Sequence, residues 1–150
     1  MRILITGITG RIGANLAAAL VKQGHQVRGL VWPRDPRTEN LKPLGVELAE
    51  GTITSEQDLA YAVEDMEVVY HLGAAFQGGG PFTDGEYFEI NVRGTFNVLE
   101  AVRKTSILRQ LIFASSDALF EKYIPGGMEY PITEETPSLP SGAYALSKEM

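Results

Sequence analysis

The chain has 150 residues, no cysteine and a formal net charge of -6, with 44% hydrophobic and 21% charged residues, the size and balance of one folded domain. The charge argues against a broad basic face for nucleic acid. The missing cysteines exclude disulfides, thiolate catalysis and Cys-ligated zinc, and two isolated histidines, His25 and His71, make no metal cluster.

No apolar run reaches the roughly 18 residues of a membrane span, and the start lacks a signal-peptide pattern. A cytoplasmic protein with neither a membrane nor a nucleic-acid partner is therefore expected. Arg2 to Thr6 has the aliphatic content of a buried strand and Ala14 to Gln23 is a strong helix former, with Gly7, Gly10 and Gly13 in the turn between them. The first glycine permits a tight turn, the second lets the backbone approach a ligand, and the third allows close helix packing. The free N–H groups and dipole of the helix start then face an anion, and a dinucleotide pyrophosphate suits the place. The plainer alternative is a sharp strand-to-helix turn and nothing more. A second strand-like run at Gln26 to Val31, after the helix stop Gly24, supplies the context that the motif needs.

Trp32 to Arg37 carries two prolines and reads as a loop, with a helical turn expected at Glu39 to Leu44. Val46 to Glu50 is a short third strand, Ser55 to Asp58 an N-cap and first turn, and Leu59 to Val63 the helix that follows. Val68 to Leu72 is strand four and runs into the small residues Gly73, Ala74 and Ala75. Gln77 to Gly85 is a glycine-rich loop, and Glu86 to Lys104 the longest helical segment. In it Phe88, Val92, Phe96, Leu99 and Val102 recur at three- and four-residue spacing, the signature of a packing face. Leu111 to Ala114 is strand five, ending in Ser115 and Ser116; residues 117–140 are irregular, and a last helix begins near Tyr144. Alternating strands and helices imply an α/β fold, a doubly wound parallel sheet with helices on both faces. Ligands then sit at the carboxyl ends of the strands, where Gly7, Gly73 and Ser116 converge.

Tyr144 and Lys148 stand four residues apart, on one helix face. A nearby cation favours phenolate, so the pair can act as a general acid or base. Alone, such a pair is a common solvated helix face; its weight comes from Ser116 and the glycine turn in the same cleft.

Four separated motifs, Thr6 to Gly13, His71 to Ala75, Asn91 to Ala101, and Tyr144 with Lys148, together with the serine segment Phe113 to Phe120, resemble the short-chain dehydrogenase/reductase superfamily. The likeness is to its extended branch, the NAD-dependent epimerases and dehydratases. The resemblance implies a Rossmann-like fold in which Gly7, Thr9, Gly10, Arg11, Ile12 and Gly13 hold the pyrophosphate. Val31, Trp32, Arg34, Thr52 and Ile53 would lie about the adenosine, and Leu72, Gly73, Ala74 and Ala75 along the path to the nicotinamide ribose. It also implies that Ser116 orients the substrate oxygen, Tyr144 transfers the proton, Lys148 binds ribose hydroxyls, and Asn91 supports the site.

In two places the chain departs from the family. Gly51-Thr52 stands where many relatives have Gly-Asp, and Val31-Trp32, followed by Arg34 and Arg37, stands where an NAD enzyme commonly has an acid. Arginine could meet a 2′-phosphate, which favours NADP over NAD; solvated loop charges are the alternative.

The family continues well beyond this pair. Residues 1–150 are thus expected to be a dinucleotide-binding domain truncated after Tyr144 and Lys148, with the substrate domain absent and Tyr144 loosely held on a short helix. The stretch Pro131 to Pro137 resembles nucleotide-sugar enzymes, so the expected function is a nicotinamide-dependent epimerase or dehydratase acting on a nucleotide-sugar. The alternatives are an NADP-dependent ketone or aldehyde reductase of the same superfamily and a non-catalytic dinucleotide-binding module. Dimerisation through helices is also implied.

Overall fold

Residues 1–76, 80–120 and 131–150 are described by the computed structural model; residues 77–79 of the expected glycine loop and 121–130 of the expected irregular stretch lie outside them. Strands β1 (Arg2–Thr6), β2 (Gln26–Val31), β3 (Glu47–Glu50), β4 (Val68–His71) and β5 (Gln110–Phe113) pair in parallel, in the order β3-β2-β1-β4-β5. Helices α1 (Arg11–Lys22) and α2 (Glu56–Val63) follow β1 and β3, and a 3₁₀ segment (Pro36–Leu44) follows β2. After β4, α3 (Asp84–Tyr87), a π-helical segment (Phe88–Arg93) and α4 (Gly94–Arg103) run head to tail, and α5 (Gly142–Glu149) comes last.

The centre of the sheet is β1, whose period-two alternation feeds two cores. Ile3 and Ile5 join Ile8, Ala17, Leu20 and Val27 beneath α1, while Leu4 joins Leu59, Ala62, Val69, Val98 and Val102 beneath α2 and α4. Both faces are covered, as a Rossmann-like doubly wound sheet requires. Local signals set the boundaries. Ser55 caps α2 by accepting the Asp58 amide, Asp35 caps the 3₁₀ segment by accepting the Arg37 amide, and Gly24 (φ +81°) turns the chain after α1.

The longest helical stretch lies where expected, but of its expected packing face only Val102 is buried and Val92 half-buried. Phe88, Phe96 and Leu99 are 36%, 60% and 46% exposed, while Tyr87, Asn91, Gly94, Asn97 and Val98 point inward beside Val102. The reason is a close approach to the Ile53–Thr54 segment. A Cβ on Gly94 would stand 2.8 Å from the Ile53 side chain, and the Asn97 amide donates to the carbonyls of Ile53 and Thr54 at 3.3 Å. Small and amide side chains fit that surface, so the larger apolar ones are left outside.

At the turn after β1, a Cβ on Gly13 would lie 2.3 Å from the Gly7 carbonyl oxygen, well inside contact distance and against backbone. Gly13→Ala is expected to destabilise the fold by about 1–3 kcal/mol, the usual cost of overpacking, read as a lower urea midpoint with unchanged slope.

Candidate active site

In this parallel sheet the strand order reverses between β1 and β4, and the two strand ends open a crevice there. Gly7 leaves β1 with a left-handed φ of +72°, which lets its backbone lie against Gly73 after β4; a Cβ on Gly7 would be 2.7 Å from the Gly73 amide nitrogen. Helix α1 starts directly above, capped by Gly10, with no side-chain cap and no acid in its first turn. Its first amides, at Arg11, Ile12 and Gly13, therefore lack intrahelical partners and can hold an anion such as a diphosphate. Ile12, 70% exposed, flanks them.

A cleft of about 130 Å³ runs from this turn across the strand ends. Thr6, Gly7, Thr9, Gly10, Trp32, Thr52, Ile53, Leu72, Gly73 and Ala74 line it together with Leu30, Arg37, Gly51 and Ile90. Most of the residues expected about a dinucleotide thus share one wall. Arg11, Ile12 and Gly13 stand beside it at the start of α1, and three are placed otherwise: Val31 is buried in the core beneath α1, Arg34 is exposed at φ 60° outside the lining, and Ala75 is buried behind it. A larger cavity of about 360 Å³ between α2 and α4 opens where the strands begin, and holds none of these groups.

Three residues that support the site from behind its lining escaped the sequence reading. Asp35, almost fully buried, accepts the Thr9 hydroxyl at 2.9 Å and two guanidinium bonds from Arg37 at 2.9 and 2.7 Å. Chiefly through the Arg37 hydrogen bonds its carboxyl is held down to about 2. Asp58 reaches back from α2 to accept the Thr52 amide at 3.0 Å, and Ser147 bonds Asn91. The Thr9–Asp35 and Asn91–Ser147 bonds join segments 26 and 56 residues apart, which no local pattern records.

At the other end of the crevice, α5 lies over the end of β5. The Tyr144 hydroxyl lies 3.4 Å from the Ser116 hydroxyl, and the Lys148 ammonium donates to the Ala114 carbonyl at 2.7 Å. Tyr144 is half-buried, with its ring edge-on to Tyr87 at 5.8 Å. The expectation of a loosely held Tyr144 therefore fails, because Tyr87 and the π-helical segment supply the packing that an eight-residue helix lacks. Burial pushes the Lys148 pKa down to about 8. Its ammonium stands 4.2 Å from the centre of the Phe113 ring, which in turn packs on His71 at 5.5 Å. A phenol, a hydroxyl and a desolvated ammonium at one strand end can hold a substrate oxygen and move its proton.

Beneath them His71 is buried between two hydroxyls, Thr6 Oγ1 at 2.7 Å from Nδ1 and Thr95 Oγ1 at 2.9 Å from Nε2. Thr6 Oγ1 also accepts the Gly73 amide, so the imidazole braces the cleft wall. Burial first, and the Lys148 charge second, push the His71 pKa down to about 4 from 6.5.

The model of the NAD dependent epimerase/dehydratase family matches residues 3–150. A GDP-mannose 4,6-dehydratase of Sordaria araneosa is 37% identical over 96% of the chain, and a 3-beta-hydroxysteroid dehydrogenase of Mycolicibacterium neoaurum is 31% identical over 90%. The chain spans only 27% and 36% of the lengths of those two relatives. Among solved structures, UDP-glucose 4-epimerase of Thermus thermophilus in complex with NAD superposes with a TM-score of 0.84 at 28% identity, over 99% of this chain and 47% of that one.

The depressed His71 pKa makes a prediction about stability. Between pH 6.5 and about 4 the unfolded chain binds a proton at this residue that the native chain refuses, so stability falls with pH across that window. The loss is expected to be on the order of 3 kcal/mol at this residue. Urea unfolding at pH 7, 5.5 and 4 should show a flatter profile for His71→Asn than for the parent.

Proposed function

The chain belongs to the NAD-dependent epimerase/dehydratase family, and from that premise we propose that it is the cofactor-binding and proton-transfer part of an enzyme acting on a nucleotide-sugar. The observation that carries the reading is the meeting of Ser116, Tyr144 and Lys148 at the far end of the crevice that begins at the uncapped start of α1. The residues fit a nicotinamide dinucleotide. Amide donors and glycines at the start of α1 would hold the diphosphate, Thr52, Ile53 and Trp32 of the cleft would lie about the adenosine, and Lys148 would meet the nicotinamide ribose.

When bound, the cofactor supplies hydride chemistry. The protein's own groups supply the rest. Ser116 holds the reacting sugar oxygen, Tyr144 removes its proton as a carbonyl forms and restores it afterwards, and Lys148 stabilises the phenolate. The nucleotide-sugar assignment is supported by the GDP-mannose dehydratase and UDP-glucose epimerase among the relatives and by the stretch Pro131 to Pro137. For the cofactor, Arg37 is already committed to Asp35, and a 2′-phosphate would have to take it from a buried carboxylate. That pairing supports NAD, as does the NAD bound by the solved relative.

A reductase reading has its own support in the steroid dehydrogenase among the relatives. Net consumption of reduced cofactor with ketones, and none with nucleotide-sugars, would select it.

The decisive experiment follows nucleotide-sugar conversion by the full-length protein with NAD and with NADP. Tyr144→Phe is expected to lower turnover by about 10²–10⁴-fold while cofactor affinity, read by calorimetry, stays within a few-fold. Unchanged turnover in that variant would overturn the assignment of proton transfer to Tyr144, and no turnover by the parent with either cofactor would leave a non-catalytic binding module.

The exposed face of Phe88, Phe96 and Leu99 supports a homodimer formed through these helices. Phe96→Glu is expected to shift the sedimentation coefficient from dimer to monomer, and a parent that sediments as a monomer sinks this part.

A further inference from the structure

One long-range polar link in the site does not involve the reacting groups themselves. Asn91, in the middle of the π-helical segment and 3% exposed, has its side-chain amide engaged on both sides. Its Oδ1 accepts the Ala75 amide at 2.7 Å, and its Nδ2 donates to the Ala75 carbonyl at 2.9 Å and to Ser147 Oγ at 2.9 Å. Ser147, 4% exposed, passes the connection on by donating its hydroxyl proton to the Tyr144 carbonyl at 2.7 Å. Every step in this chain is a donor meeting an acceptor, and no direction is left ambiguous.

Its two ends matter because of what each belongs to. Ala75 continues the Leu72–Ala74 stretch that lines the cleft, whereas Tyr144 and Lys148 sit on α5. At eight residues α5 is too short to define its own position. A π-helical turn, rare and often found at functional sites, carries the amide that bridges the two. Other contacts of α5 near this point, the Tyr144 ring on Tyr87, the Tyr144 hydroxyl beside Ser116, and Lys148 on Ala114 and Phe113, involve no residue of the Gly73–Ala75 wall.

We infer that Ser147 is a positioning residue: with Asn91 it clamps the proton-transfer helix to the cofactor wall and so sets where the Tyr144 hydroxyl stands. The inference rests on the function proposed above for Tyr144. Ser147 touches no reacting atom; it acts through the Tyr144 backbone, and a buried hydroxyl removed here leaves the Asn91 N–H without its acceptor.

The test uses the full-length protein. Ser147→Ala is expected to lower kcat by about 10- to 100-fold, the cost of a sub-ångström to ångström misplacement, with cofactor Kd within about threefold of the parent. Ser147→Thr, which keeps the hydroxyl, should recover most of the loss. In a Tyr144→Phe background the same Ser147→Ala change should alter the residual rate by less than about twofold, because the group it positions is gone. An equal loss in both backgrounds, or a Ser147→Ala enzyme with parental kcat, overturns the inference.

Hydrogen exchange separates this failure from failure of the assigned function. Ser147→Ala is expected to speed exchange at the Ala75 amide and at the α5 amides together, by about five- to tenfold for one lost hydrogen bond. If Tyr144→Phe leaves turnover intact, the catalytic reading falls, and the exchange measurement still decides the clamp: unchanged exchange at Ala75 refutes it.

Discussion

Two backbone segments lie against each other at the point where the sheet order reverses, and the rest of the site hangs on that approach. A Cβ on Gly7 has no room beside Gly73, and one on Gly13 has none beside the Gly7 carbonyl. Because Gly10 brings no side-chain cap, α1 begins over the strand ends with its first amides unspent. The approach is fastened from beneath, since Thr6 Oγ1 accepts the Gly73 amide and lies 2.7 Å from the buried His71 ring. A bulkier residue in the turn would therefore lift the helix, the β4 end and the imidazole together.

The far end of the crevice is organised by desolvation rather than by glycine. Lys148 is held against the Phe113 ring and the Ala114 carbonyl, in surroundings that weaken its hold on a proton. His71, on the other side of Phe113, stays neutral for the same reason, and a neutral imidazole adds no second positive charge near the ammonium. Burial in this region keeps one cation where a phenolate would need it.

The outward apolar face of the long helical stretch shows how packing can reverse a sensible expectation. Apolar residues at three- and four-residue spacing identify a common face, but not what covers it. Here the inner side approaches the Ile53 side chain and the Ile53 and Thr54 carbonyls so closely that Gly94 and Asn97 are the residues that fit, and Phe88, Phe96 and Leu99 face out.

Strand and helix periodicity determined much of this protein, because each depends on residues next to one another in the chain. The five strands, the glycine turn, the helix carrying Tyr144 and Lys148, and the edge on which Gly7, Gly73 and Ser116 meet were all legible. What remained hidden rests on which side chains meet. Thr9 with Asp35 and Asn91 with Ser147 join segments that only folding brings together, while Asp35 with Arg37 and Thr52 with Asp58 are near neighbours in sequence whose side-chain directions the sequence does not record. The arginines near β2 could be listed from sequence, yet only the tertiary structure showed that Asp35 claims Arg37 and that Arg34 lies outside the cleft. Hydrogen bonds of that kind need angles and distances set by packing, and composition along the chain carries neither.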